Sequence, residues 1–369
     1  MPPVISSRTV EPSTVGAVPS LSSDDYESKA PPTPRPATIY DVAARAQVSH
    51  QTVSRYLRGY NRMKPDALER VERALQELNY RPNASARALA LSRSRRIGAI
   101  VYGLEQSAPQ QFVVGAGNAA RDRGYYLDIV GVPAGGEHLL PSAIESLAQS
   151  DLAGLLTFAP TVGVRRAVQE ARFTIPVWIE TENEEPVEGP ESTLNAVGVR
   201  FVLEHLLELG HQRIAYLPGP DAYISARNRR TAYRRAMNAA ALPTEILPEG
   251  DWTAASGHRV ITQGFTSTAT ALVCANDQMA MGALLALHRR GIAVPADLSV
   301  VGFDDVPEAA YTIPPLTTVR VEFALQGRSA VDGLIDQIEG GETPGTPSTG
   351  QPARVSLAVR DSSAPPAPA

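Results

Sequence analysis

Between Arg96 and Ala358, short apolar runs alternate with helical patterns, and this alternation constrains the fold more than any other feature. The strand candidates include "RIGAIV", "YYLDIV", "AGLLTF", "PVWIE", "RIAYL", "ALVCA", "LSVVGF" and "RVSLAV". Helical patterns at 196–209, 225–241, 276–290 and 322–338 separate many of them. A strand followed by a helix returns to a parallel neighbour, so the pattern implies α/β architecture, with parallel sheets covered by helices. Residues 96–358 are too many for one such sheet, and two lobes are expected.

The flanks differ from this region. Residues 1–36 ("SKAPPTPRPA" at their end) and 359–369 ("DSSAPPAPA") are rich in Pro, Ser, Thr and Ala and read as disordered tails. The start lacks a basic stretch followed by an apolar run, so no secretory signal is expected. No apolar run reaches the ~20 residues that span a bilayer, so no membrane partner is expected. The single cysteine, Cys274, excludes an internal disulfide framework and fits a reducing, cytoplasmic compartment.

Charge is uneven. Residues 37–96 hold 12 Lys+Arg against 5 Asp+Glu, a net of +7, inside a chain of net charge −5. A basic module hidden in an acidic chain is the electrostatic footprint of nucleic-acid binding. Within it, Ile39, Val42, Ala43 and Ala46 fall on one helical face. Thr38 with Asp41 matches a capping box that starts this helix. Ser49 suits the N-cap of a second helix. On that helix Val53, Tyr56 and Leu57 turn inward, which leaves Gln51, Ser54 and Arg55 outward and His50 at the exposed start. Pro65 suits the first turn of a third helix, in which Leu68, Val71, Leu75 and Leu78 recur at helical spacing. Two short helices, a tight turn and an outward polar face describe a helix-turn-helix, although an ordinary helical hairpin shares the pattern. Arg and Gln suit guanine and adenine edges respectively.

The stretches "ATIYDVAARAQVSHQTVSRYLRG" and "RVERALQELNYRPNASARALA" resemble the headpiece of the lac repressor/gal repressor (LacI/GalR-type) family of bacterial transcriptional regulators. The resemblance extends to about residue 358. It implies a helix-turn-helix domain over 37–82, a hinge helix and linker over 83–95, and a two-lobed periplasmic-binding-protein-like core over 96–358. It implies that His50, Gln51, Ser54 and Arg55 meet double-stranded operator DNA. It also implies that Leu89 wedges between base pairs in the minor groove. His50 stands where a tyrosine is known in the family. Gln47 stands where glycine is usual, so a non-glycine residue is expected in a left-handed turn.

In the α/β region, Asn276 follows "ALVCA", Asp304 follows "LSVVGF", and Arg229 lies in the helix after "RIAYLPGP". Ligands of open parallel sheets bind beyond the carboxyl ends of strands. An amide, a carboxylate and a guanidinium suit adjacent hydroxyls on a sugar, and Trp252 offers a flat face for a pyranose. Each has a structural alternative: Asn276 as a helix N-cap, Asp304 as a turn residue beside Asp305, and Trp252 as core. The motifs "SARNR", "GDW", "ANDQMA", "VVGFDD" and "IPPLTTV" again resemble the family. That resemblance assigns Arg229, Asn276 and Asp304 to sugar hydroxyls, Trp252 to stacking, and Phe323 and Ser225 to the pocket wall. Within the family, tryptophan after Gly-Asp is not universal, and the resemblance implies galactoside-like ligands. An acidic pocket residue of the family's first lobe has no counterpart near Thr161 and Val162. The C-terminal leucine heptads of tetrameric members are absent, so a homodimer is expected.

The resulting expectation is a sugar-responsive repressor of a carbohydrate operon, probed by a small-molecule sugar and needing no cofactor or metal. An activator built from the same parts is the alternative. "GAGNAA" (115–120) mimics a dinucleotide-binding loop but lacks a clear preceding strand, so an enzymatic role is the weaker reading. His205, His211 and His258 are scattered, and their expected roles are structural.

Overall fold

The computed structural model describes residues 37–57, 63–80, 94–183, 193–266, 268–340 and 354–367. The helical headpiece and the sheet-containing core form separate compact units.

In the headpiece, α1 (Ile39–Ala46) starts where the sequence places it. The Asp41 N–H donates to Thr38 Oγ1 at 3.3 Å, and the Thr38 N–H donates to Asp41 Oδ2 at 2.7 Å. Gln47 ends α1 with φ 52° and ψ 47°. This left-handed conformation costs a residue with a Cβ roughly 1–2 kcal/mol. Helix α2 (His50–Leu57) follows, with the Thr52 N–H donating to Ser49 Oγ at 3.2 Å. Helix α3 (Pro65–Glu77) closes the unit over Val42, Ala46, Val53 and Val71, all fully buried. An Arg45–Glu77 ion pair at 2.6 Å and a hydrogen bond from the Tyr56 hydroxyl to Glu72 at 3.0 Å tie the first two helices to the third.

The core has two sheets. The first has the order β2-β1-β3-β4 and is parallel throughout. It comprises β1 (Arg96–Tyr102), β2 (Tyr126–Val132), β3 (Gly154–Phe158) and β4 (Val177–Glu180), interleaved with α4 (Ser107–Asp122), α5 (Leu140–Ala148) and α6 (Val162–Glu170). The chain then passes to the second sheet through α7 (Leu194–Glu208), β5 (Ile214–Leu217), α8 (Ile224–Ala239), β6 (Glu245–Ile246), α9 (Ala254–Gly264), β7 (Ala271–Cys274), α10 (Asp277–Arg289), β8 (Ser299–Asp304) and β9 (Thr317–Val321). It returns to the first lobe as α11 (Phe323–Ile338), which packs on α4, β3 and β4. It ends in the second lobe with β10 (Val355–Ala358), the one antiparallel neighbour in the sheet order β10-β9-β8-β7-β5-β6. The buried strands "ALVC" and "SVVGFD" are apolar on both faces, as sheets covered on both sides require.

The "GAGNAA" stretch lies inside α4 and has a packing role. A Cβ on Gly115 would collide with the Ala324 carbonyl oxygen, and one on Gly327 with the Phe112 carbonyl oxygen. Reciprocal glycines therefore let α4 and α11 touch backbone to backbone, a use that has nothing to do with phosphate binding.

Residues 359–367 were expected as part of a disordered tail, but they dock on the second sheet. Ser362 is fully buried, its Oγ accepts from the Thr317 N–H at 2.8 Å, and its carbonyl accepts from the Val300 N–H at 2.8 Å. Arg360 pairs with Asp305 at 2.6 Å, and His211 and Ser299 bind the Ala364 carbonyl at 2.9 and 3.0 Å. Strand β9 first pairs with β8 at Val301, so the backbone of residues 299–300 is left open beside it. The tail fills that gap, and low apolar content is no bar to a segment that serves as a hydrogen-bonding plug. His205 reaches the same segment through Ser363 at 2.9 Å, in keeping with a structural role. Among the described residues, no helix is long and apolar enough to cross a membrane.

Candidate functional site

The headpiece presents one polar helix face. Val53 is fully buried and fixes the rotation of α2, which leaves His50, Gln51 and Arg55 exposed and Ser54 half-buried. The His50 ring rests against Tyr40 of α1, with centroids 5.2 Å apart, so its position at the helix start is supported from below. Hydrogen-bonding side chains thus stand on a rigid element supported by a small core. Leu89 and the rest of 83–90 lie outside the described residues.

The core holds a cavity of about 720 Å³, counting the solvent at its mouth, between the carboxyl ends of the strands of both sheets. Arg229, Asn276, Asp304, Trp252, Phe323 and Ser225 all line it. Six positions scattered over a hundred residues of sequence therefore line one cavity. From α4, Ala108 and Pro109 also line the cavity, whereas Phe112 is buried behind it in the α4–α11 packing.

The structure reconciles the paired readings. Asn276 is the N-cap of α10, with Oδ1 accepting from the Met279 N–H at 2.9 Å, and its Nδ2 donates to the Trp252 carbonyl at 2.9 Å. It is a structural cap and a cavity residue together. Trp252 is 7% exposed and belongs to the core, yet its ring forms the cavity wall. Gly219 leaves room for that ring, since a Cβ there would clash with it. Trp252 at φ 70°, Asp304 at φ 110° and Asp305 at φ 52° all hold positive φ without being glycine. Such strain persists only where surrounding contacts enforce it, and it concentrates at ligand sites. Here Asp305 is gripped by Arg320 and Arg360, each at 2.6 Å.

Arg229 organises the polar wall. Its guanidinium is 4% exposed and lies 3.6 Å from the centroid of the Phe303 ring. It donates to Asn195 Oδ1 at 2.5 Å, to the Ala275 carbonyl, and to Asp304 Oδ1 at 3.3 Å. Burial pushes the Asp304 carboxyl up to about 6, with Arg229 drawing it back down. Behind it, buried Asp277 accepts from the Val306 N–H at 2.9 Å and the Thr318 hydroxyl at 2.5 Å. Burial, and then Asp304, push Asp277 up to about 8.

Sequence reasoning missed the first-lobe carboxylates. Glu180 and Glu182, at the end of β4, both line the cavity. Glu182 accepts from Asn195 at 2.5 Å and Asn228 at 3.2 Å, so a polar chain runs from Asp304 through Arg229 and Asn195 to Glu182. Glu180 accepts from Trp178 at 3.0 Å and Gln326 at 2.8 Å. Their place at a strand end was the available signal, and "PVWIETE" carries it once β4 is recognised. Among the described residues, no group of three or more His, Cys, Asp and Glu is arranged to hold a metal ion.

Residues 38–83 match the family described as "Bacterial regulatory proteins, lacI family", and residues 203–363 match a periplasmic binding protein-like domain. The chain is 35% identical over 310 residues to the lactose operon repressor of Escherichia coli (strain K12), covering 83% of this chain and 86% of that protein. The chain belongs to the lacI family. It is accordingly a DNA-binding transcriptional regulator of the repressor type, and its relatives are not enzymes. The HTH-type transcriptional repressor PurR of Haemophilus influenzae (strain PittEE) is 31% identical, with 82% of this chain and 91% of that protein covered. Among solved structures, the lac repressor dimer bound to operator and the anti-inducer ONPF superposes with a TM-score of 0.77 at 34% identity, covering 89% of this chain and all of that chain. A complex of the transcriptional regulator CelR with cellobiose superposes at 0.61 and 28% identity, covering 88% of this chain and 99% of that one. The lacI-family assignment accounts for both parts of the chain: a helix-turn-helix headpiece and an α/β core with a cavity between its two sheets.

Proposed function

We propose that this lacI-family protein is a sugar-responsive repressor that leaves its operator when a small sugar, of galactoside type, enters the core cavity. The observation that carries the reading is the convergence of Arg229, Asn276, Asp304 and Trp252 on one cavity wall. Together they offer forked donors, an amide, an acceptor and a flat apolar face, which is the chemistry a pyranose presents. The polar chain from Asp304 to Glu182 bridges the two lobes, so a ligand that inserts into it biases their arrangement. A sugar releases DNA only by preferring the lobe arrangement that does not bind DNA, and operator must then weaken sugar binding by the same factor.

On the DNA side, His50, Gln51, Ser54 and Arg55 read base edges, and Leu89 acts as the minor-groove wedge. The lac repressor dimer on operator supports binding as a homodimer to a near-palindromic site. The testing experiment is a panel of mono- and disaccharides, including galactosides, scored by calorimetry and by release of operator. Release by a sugar is expected. If no sugar binds while a purine or other non-sugar metabolite releases operator, the pocket assignment fails and the headpiece reading stands.

A further inference from the structure

The cavity is lined by more carboxyl groups than cationic side chains. Three carboxylates line it, Glu180, Glu182 and Asp304, and Arg229 is the one cationic side chain among its lining residues. Arg229 bonds Asp304 directly and reaches Glu182 through Asn195. Glu180 stands apart from this arrangement. Its Oε2 accepts from the Trp178 indole N–H at 3.0 Å and its Oε1 from the Gln326 amide at 2.8 Å. An indole nitrogen only donates, and the two oxygens each face a donor, the arrangement an ionised carboxylate takes. No ion pair with Lys or Arg reaches Glu180 among the described residues. Burial pushes its carboxyl up, and the two neutral hydrogen bonds only partly offset this.

Glu180 is only half-buried, so solvent screens its charge when no ligand is bound. A ligand that displaces this solvent removes the screening, and an unpaired carboxylate in a dry site is costly. A second buried group waits for a ligand at the same cavity. Trp252, 7% exposed, has an indole N–H with no hydrogen-bond partner among the described residues, so the wall holds an unmet donor as well as an unmet anion. A sugar supplies acceptors for the former through its oxygens.

We propose that the natural effector is an amine-bearing sugar, an amino sugar or a glycoside with an aminated aglycone, whose ammonium group sits against Glu180 while its hydroxyls meet Arg229, Asn276 and Asp304. This rests on the sugar reading of the pocket and narrows its ligand class. The ammonium supplies the missing cation at the first-lobe end, and the hydroxyls occupy the polar wall of the second lobe.

The test is calorimetry and operator release on the full chain with matched probes. These are galactosamine and 2-aminoethyl galactoside, their neutral counterparts galactose and 2-hydroxyethyl galactoside, and the N-acetylated form of each amine. At least one amine should bind roughly 10- to 100-fold more tightly than both its neutral counterpart and its N-acetylated form, the scale of a charge-assisted hydrogen bond. Glu180→Gln should collapse that preference. Equal or weaker binding of both amines to the wild type overturns the proposal, as does a preference that survives in Glu180→Gln. The wild-type comparison decides even if that variant does not fold. Binding of neutral sugars with no gain from the amine sinks this inference alone, whereas binding of none of the probes, with release by a non-sugar metabolite, sinks the sugar reading with it.

Discussion

Arg229 donates to Asp304 at 3.3 Å across the cavity wall, with side chains only 5% and 7% exposed. The pair joins the helix after β5 to the end of β8, so it is at once part of the core and part of the ligand surface. Removing one partner leaves the other buried without compensation. Arg229→Ala should therefore cost about 3–5 kcal/mol of core stability. Asp304→Asn keeps the shape and one acceptor, so it should fold, bind operator and lose its response to sugar. Thermal unfolding together with operator release checks both variants. An Asp304→Asn protein that still releases operator at wild-type sugar concentrations would remove Asp304 from the effector site.

Arg55 stands exposed on the face of α2 that Val53 orients outward. Arg55→Ala should cost about 1–3 kcal/mol at one base pair of each half-site. Binding to operators mutated at single positions measures this. A uniform loss across all operators would instead make Arg55 a phosphate contact. Wild-type affinity should also fall steeply with salt, because basic residues release counterions from DNA.

Asp277 gives the core a pH-dependent stability. Its ordinary carboxyl range lies near 3.8, and in the folded core it is pushed up to about 8 by burial and by Asp304. Between those values the folded state binds more protons than the unfolded state, so this group's contribution falls as pH rises through that window. Asp277→Asn removes the titration. Denaturation midpoints at pH 5, 6.5 and 8 should show the variant gaining on the wild type as pH increases. A difference that does not change with pH would show that Asp277 does not titrate in this range.

The C-terminal plug is structural. Truncation after Ala358 removes the partners of the Thr317 and Val300 N–H groups and the Arg360 pair with Asp305. Each unsatisfied buried donor costs roughly 1–3 kcal/mol, so the loss from the two should be about 2–6 kcal/mol. Comparing the melting temperature of the truncated core with that of the full chain tests this, and an unchanged value would contradict the docked geometry.

Local chemistry made much of this protein legible in one dimension. The capping box at Thr38 and Asp41 and the N-cap at Ser49 are decided by neighbours within a few residues, so sequence alone determined where α1 and α2 begin. Strand–helix alternation likewise determined parallel sheets, because a parallel return requires a crossover. Strand-end placement and motif resemblance together singled out Arg229, Asn276, Asp304 and Trp252, and the fold brings all four to one cavity. What remained depends on contacts between segments far apart in the chain, and only the tertiary structure decided it. Glu180 becomes a cavity residue only because β4 ends opposite the second lobe and α11 returns to bring Gln326 beside it. Gly115 of "GAGNAA" acquires its role from α11, more than two hundred residues away. The Pro- and Ala-rich C-terminus is ordered because the open backbone of Ser299 and Val300 supplies partners that composition does not reveal. Secondary structure follows from local propensity and capping, whereas pairing, burial and charge balance are properties of surroundings assembled by folding.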